Sequence, residues 1–122
     1  MKMNSYKLLF LFGITILSSC SNNSTSDLIE PIPFVENVTY LDNIKPIIES
    51  NCLSCHSSPP QNYAPMQLTT YNDVKLAVQN RGLIGRITRD EGASGLMPNG
   101  GPKLLQSKID LIIKWRDQGF QE

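Results

Sequence analysis

Two stretches rich in Pro, Gly and small polar residues, 57–65 and 92–102, carry neither the period of a helix nor that of a strand. Loops of that length are uncommon in a small domain unless they wrap something. The segments around them do carry a helical period. Ile44, Ile47, Ile48 and Cys52 recur at spacings of three and four, with Asp42 or Asn43 available as the cap. Pro46 then falls in the first turn, where a missing amide donor is tolerated. A second helix is expected from Tyr71 to Asn80, capped by Thr69 or Thr70, with Val74, Ala77 and Val78 facing inward and Gly82 at its exit. In the last, Ser107 and Asp110 have the spacing of a capping box, and Ile109, Ile112, Ile113 and Trp115 supply the apolar side. Gly119 suits the left-handed position after its end. No segment has a strand period, so the expected class is all-α, with three main helices and long loops.

The amino terminus is read separately. Lys2 and Lys7 precede an apolar run from Leu8 to Leu17, too short for a permanent membrane span, and Leu17-Ser18-Ser19-Cys20 follows. This is the pattern of a signal peptide over 1–19, and the four residues resemble a bacterial lipobox, which implies lipidation of Cys20 in the mature chain. The alternative is an ordinary signal peptide with a chance cysteine. Residues 20–38 are mainly Ser, Asn, Thr, Pro and acids, which reads as a lipid-anchored flexible linker with a span of roughly 25 Å. The folded domain is then expected over 39–122. Of 11 Lys and Arg, Lys2 and Lys7 leave with the signal, against 11 Asp and Glu that stay, so the mature formal charge is two negative. No basic footprint for nucleic acid remains.

A domain of this size with short helices and long loops buries a modest core and needs a staple. Cys52-Leu53-Ser54-Cys55-His56 offers one. Cys-x-x-Cys-His sets two thiols about one helical turn apart, where both can join the vinyl groups of one haem, and puts an imidazole beside them as iron ligand. A tetrahedral zinc site would need a fourth ligand, and the mature chain has no further Cys or His apart from Cys20. A thioredoxin-like dithiol would need a strand before its helix, and none is legible.

His56 is the sole histidine, so the second axial ligand of such an iron must be another residue type. Met97, in Gly95-Leu96-Met97-Pro98-Asn99-Gly100-Gly101-Pro102, lies in a loop able to approach a haem face. Met66 is the other thioether of the mature chain and reads more simply as core packing; an open or lysine-filled position is the remaining alternative. Arg86 and Arg89 could pair with haem propionates or simply be solvated. Trp115, at helical spacing with Ile112, reads as core beside the porphyrin edge rather than as an electron relay.

The order Val38-Thr39-Tyr40, Ile44-Lys45-Pro46-Ile47-Ile48, Cys52-Leu53-Ser54-Cys55-His56, Leu68-Thr69-Thr70-Tyr71, Met97-Pro98 and Ile113-Lys114-Trp115-Arg116-Asp117-Gln118-Gly119 resembles the small mono-haem cytochrome c domains of bacteria over nearly all of 39–122. The resemblance implies a helical cytochrome c-like fold whose first and last helices cross, and a loop methionine completing the iron coordination. Ser57 and Ser58 stand where a Gly is frequent in that family, and Asn99 where a second Pro is common. The carbonyl of Pro59 or Pro60 is the expected acceptor for the His56 ring proton. His/Met ligation leaves no open site for a substrate, so the expected function is electron transfer by one covalent haem c rather than catalysis, with transient redox-protein partners. A haem enzyme with an open sixth position, such as a small peroxidase, is the alternative, and a haem-free binding lipoprotein a third. The signal and Cys20 place the chain on the periplasmic side of a bacterial membrane. Ser21 and Asn22, neither of them acidic, favour the outer one.

Overall fold

The computed structural model describes residues 35–122; the expected signal peptide, Cys20 and the expected linker as far as residue 34 lie outside the described residues. Within them the chain is helical, with no strand. A π-helical turn, Tyr40–Ile44, runs directly into α1, Lys45–Asn51; α2 is Tyr71–Asn80, α3 Leu83–Ile87 and α4 Gln106–Asp117. None of these helices is long and apolar enough to cross a membrane.

Local chemistry explains each boundary. The cap of the first helical segment is Thr39, three residues ahead of the expected Asp42: its hydroxyl accepts the Asp42 amide at 3.2 Å, while the Asn43 carboxamide oxygen accepts the Thr39 amide at 2.9 Å. Asp42 and Asn43 therefore sit inside the turn. Helix α2 has the expected limits and a capping box, with the Thr70 hydroxyl on the Asp73 amide and the Asp73 carboxylate on the Thr70 amide. Helix α4 lacks the expected box: it starts one residue before Ser107, with Leu105 at the cap position, and Asp110 accepts instead from the Gln106 side chain at 2.8 Å. Its other end follows the expected pattern. Gly119 has φ +83, the Gly119 amide reaches the Arg116 carbonyl and the Phe120 amide the Trp115 carbonyl, and Phe120 packs edge-on against Trp115 at 4.8 Å. Helix α3 has no counterpart in the sequence reading, since five residues are too few to display a period.

The core is the meeting of these apolar faces. Ile44, Ile48, Val74, Ile109, Ile112 and Trp115 are almost fully buried, the Tyr40–Ile44 turn packs on α4, and α3 bridges α2 and α4. The packed unit also takes in Val38, fully buried, and the backbone of Val35 and Glu36, whose carbonyls accept from Lys114 and Gln118 of the last helix. Those three residues stand in the stretch that the sequence assigns to the linker.

Candidate cofactor-binding site

The end of α1 builds one wall of the site. The Cys52 amide still bonds to the Ile48 carbonyl, and the Cys55 and His56 amides both turn back to the Cys52 carbonyl, at 3.2 and 2.9 Å. This turn brings Cys52, Cys55 and His56 onto one cavity of about 560 Å³, within the roughly 300–1,000 Å³ of ordinary ligand pockets. Met97 and Pro98 of the second long loop line it too, as do Asn62 to Met66 of the first, Arg81 and the α3 residues Leu83, Arg86 and Ile87, and Ile112 of α4. The four residues expected to hold a haem are thus brought together, and both period-free loops lie on the same hollow.

His56 is held from two sides. Its Nδ1 lies 2.7 Å from the Met66 carbonyl oxygen, and its own carbonyl accepts the Leu68 amide at 2.9 Å. A carbonyl can only accept, so Nδ1 carries the proton and Nε2 keeps its lone pair for a metal. The expected acceptors, Pro59 and Pro60, are not used. The Pro59 carbonyl is occupied by the Ser57 hydroxyl and the Gln61 side chain, and the loop doubles back so that Met66 reaches the imidazole instead. Met66 does pack against the core as expected, but its main-chain oxygen has this second task, which no side-chain signal in the sequence announces.

The two cysteines are free thiols and form no disulfide. Burial pushes the Cys52 thiol up to about 11, so it stays protonated at neutral pH. Cys55 is touched by polar groups: the Asn62 carboxamide donates to its sulfur at 3.4 Å and the Ser54 hydroxyl at 3.9 Å. Met97 is positioned through its backbone, its amide bonding to the Arg86 carbonyl at 3.2 Å. The chain just before it passes close under two arginines. Gly95 has φ +76, and a Cβ there would collide with the guanidinium groups of Arg86 and Arg89, which hold the carbonyls of Gly95 and Ser94.

Among the described residues, Arg81 and Arg86 are the only charged ones on the cavity wall, and neither has a carboxylate partner. Arg89, which the sequence pairs with Arg86, fastens the Ser94 carbonyl and is not on the wall; Arg81, absent from the sequence reading, is. The donor set fits a covalent haem: two unbridged thiols, an imidazole with Nε2 available, a thioether, apolar walls and two cations for carboxylates. Among the described residues no three His, Cys, Asp or Glu side chains are grouped to hold a metal ion by themselves. In comparisons with known proteins, no family model, no curated protein and no solved structure matches this chain.

Proposed function

We propose that the cavity holds one haem c, joined through thioethers to Cys52 and Cys55, with His56 and Met97 as the axial ligands of its iron, and that the chain carries electrons. The observation that carries this reading is the convergence of those four side chains on one hollow, with the His56 tautomer fixed by the Met66 carbonyl. When bound, the haem supplies a one-electron iron couple. The protein's share is to hold and tune it. Cys52 and Cys55 prevent its loss, His56 presents Nε2, and the loop tied to Arg86 offers a thioether that favours the reduced state and leaves no coordination position for substrate. Arg81 and Arg86 supply positive charge for its carboxylates.

On this reading the helices and two wrapping loops form a cytochrome c-like fold, and the partners are a donor and an acceptor that dock transiently. The signal pattern and Cys20 support a lipid-anchored protein on the periplasmic side of a bacterial membrane, the outer one favoured. Absorption spectroscopy of the chain made with haem-maturation machinery tests the proposal. A sharp reduced alpha band is expected, with a weak near-infrared sulfur-to-iron band that Met97→Ala removes. Absence of a Soret band overturns the haem, and rapid carbon monoxide binding by the reduced wild type overturns Met97 as ligand.

A further inference from the structure

No Asp, Glu, Lys or Arg occurs from residue 50 to 72 or from 92 to 102, although charged residues are frequent in the rest of the described chain. These two segments supply the motif turn and both loops that line the cavity. The neutral composition therefore becomes a neutral rim. The two cations on the wall, Arg81 and Arg86, are matched in number by the two carboxylates of a haem.

One residue of that rim stands out. Tyr63 lines the cavity yet is 105% exposed, whereas Tyr40, Tyr71, Trp115 and Phe120 pack into a single cluster. Asn62 and Tyr63 have φ +51 and +60, a left-handed pair costly for residues with side chains. The segment is pinned on both sides. The Gln61 amide bonds to the Cys55 carbonyl at 2.7 Å, the Ala64 amide to the Gln61 carbonyl at 2.9 Å, and Asn62 to the Cys55 sulfur. The ring is thus presented outward from an ordered loop fastened to the haem-binding cysteine. Rigid exposed tyrosines amid uncharged surface are what the centres of protein interfaces use.

We infer that this rim, with Tyr63 as its anchor, is the docking surface for a redox protein whose own patch over its cofactor is uncharged and apolar. The inference rests on the haem reading above. A neutral surface gives a charged partner nothing to steer by, so association with the matching partner is insensitive to salt.

The test is electron transfer from the reduced, haem-loaded chain to two blue-copper proteins, one with an uncharged patch over the metal and one with an acidic patch, at low and high ionic strength. With the uncharged acceptor the rate is expected to change by less than about twofold with salt. Tyr63→Ala is expected to slow it about tenfold, as loss of an interface anchor does, and Tyr63→Phe to leave it unchanged. The absorption spectrum and reduction potential of all three chains are measured first, and rates are compared at the driving force found for each, so that a change at the haem itself is separated from a loss of docking. A steep salt dependence with the uncharged acceptor, preference for the acidic one, or an unchanged rate in Tyr63→Ala overturns the inference. So does a Tyr63→Ala variant whose only loss is self-association in sedimentation or binding to phosphatidylglycerol vesicles. Failure of the haem reading is told apart beforehand, because a chain without a Soret band never reaches the kinetic measurement.

Discussion

His56 and Cys52 show how differently single residues disclose their tasks. That the imidazole, the two thiols and Met97 would meet on one cavity could be read from residue types and spacing, because each side chain has few other uses in so sparse an inventory. The acceptor for the His56 proton could not, since a main-chain carbonyl has no residue signature and its choice depends on where the loop turns back. Burial of Cys52 was equally invisible, and it has a consequence for pH. In the folded, haem-free chain the thiol keeps its proton up to about 11, whereas an exposed thiol loses it near 9.0. Between those values the unfolded state binds fewer protons than the folded one, so stability falls as pH rises through the window, by about 3 kcal/mol in all. Urea unfolding of haem-free wild type and Cys52→Ala below pH 9 and near pH 11 should show this extra loss in the wild type alone. The haem-joined chain should lack it, because a thioether has no proton to lose. Parallel losses in wild type and Cys52→Ala would assign the alkaline effect to other groups.

Among the elements, α2 was fully legible and α4 only in part. A capping box needs a carboxylate that turns back to the amide of the cap residue. At α2 the Asp73 carboxylate is already surrounded by donors, taking the amides of Thr69 and Thr70, the Thr69 hydroxyl and the Gln67 side chain. At α4 the same spacing was present, but Gln106 captured Asp110 and the helix began without a side-chain cap. Helix α3 escaped notice for its brevity, although it carries Arg86 to the cavity and the Met97 loop. Partial desolvation alone would raise the Asp73 carboxyl, but the hydrogen bonds from Thr70, Gln67 and Thr69 outweigh it and hold the group below the usual carboxylate range. The stabilisation is therefore present above the ordinary carboxylate value and lost as pH falls through the lowered folded one. Asp73→Ala should cost about 1–2 kcal/mol at neutral pH, typical of a lost helix cap. The difference between variant and wild type should shrink on acidification. Thermal unfolding of both chains across the acid range measures it, and a pH-independent difference would mean that packing, not the ionised cap, is what the substitution removes.

At the scale of the whole molecule, the chain closes on itself at the aromatic cluster. Trp115, fully buried, meets Tyr40 and Tyr71 at 5.9 Å and Phe120 at 4.8 Å, and its indole donates to the Gln121 carbonyl at 2.7 Å. The Tyr40 amide bonds to that same carbonyl, and Gln118 holds both the Val38 amide and the Glu36 carbonyl. The reading of Trp115 as core agrees with its place in this cluster, but the closure depends on contacts some eighty residues apart, which local periodicity does not encode. Contrary to its expected place beside the porphyrin edge, Trp115 does not line the cavity, because its ring turns into the aromatic cluster, whereas its helix neighbour Ile112 does line it. The clasp and the proposed haem site thus share α4 while using different residues of it, which separates stability from ligation. Trp115→Ala should cost about 3–5 kcal/mol, as loss of a buried tryptophan does, a large part of the roughly 5–15 kcal/mol that holds an ordinary domain together. Trp115→Phe, which keeps a ring but not the indole donor, should cost less. In haem-loaded protein the denaturant midpoint should fall in both variants while the near-infrared band and the reduction potential stay at wild-type values. Should either spectral or redox property move with Trp115→Phe, the cluster would be coupled to the iron and α4 would act as more than a shared wall.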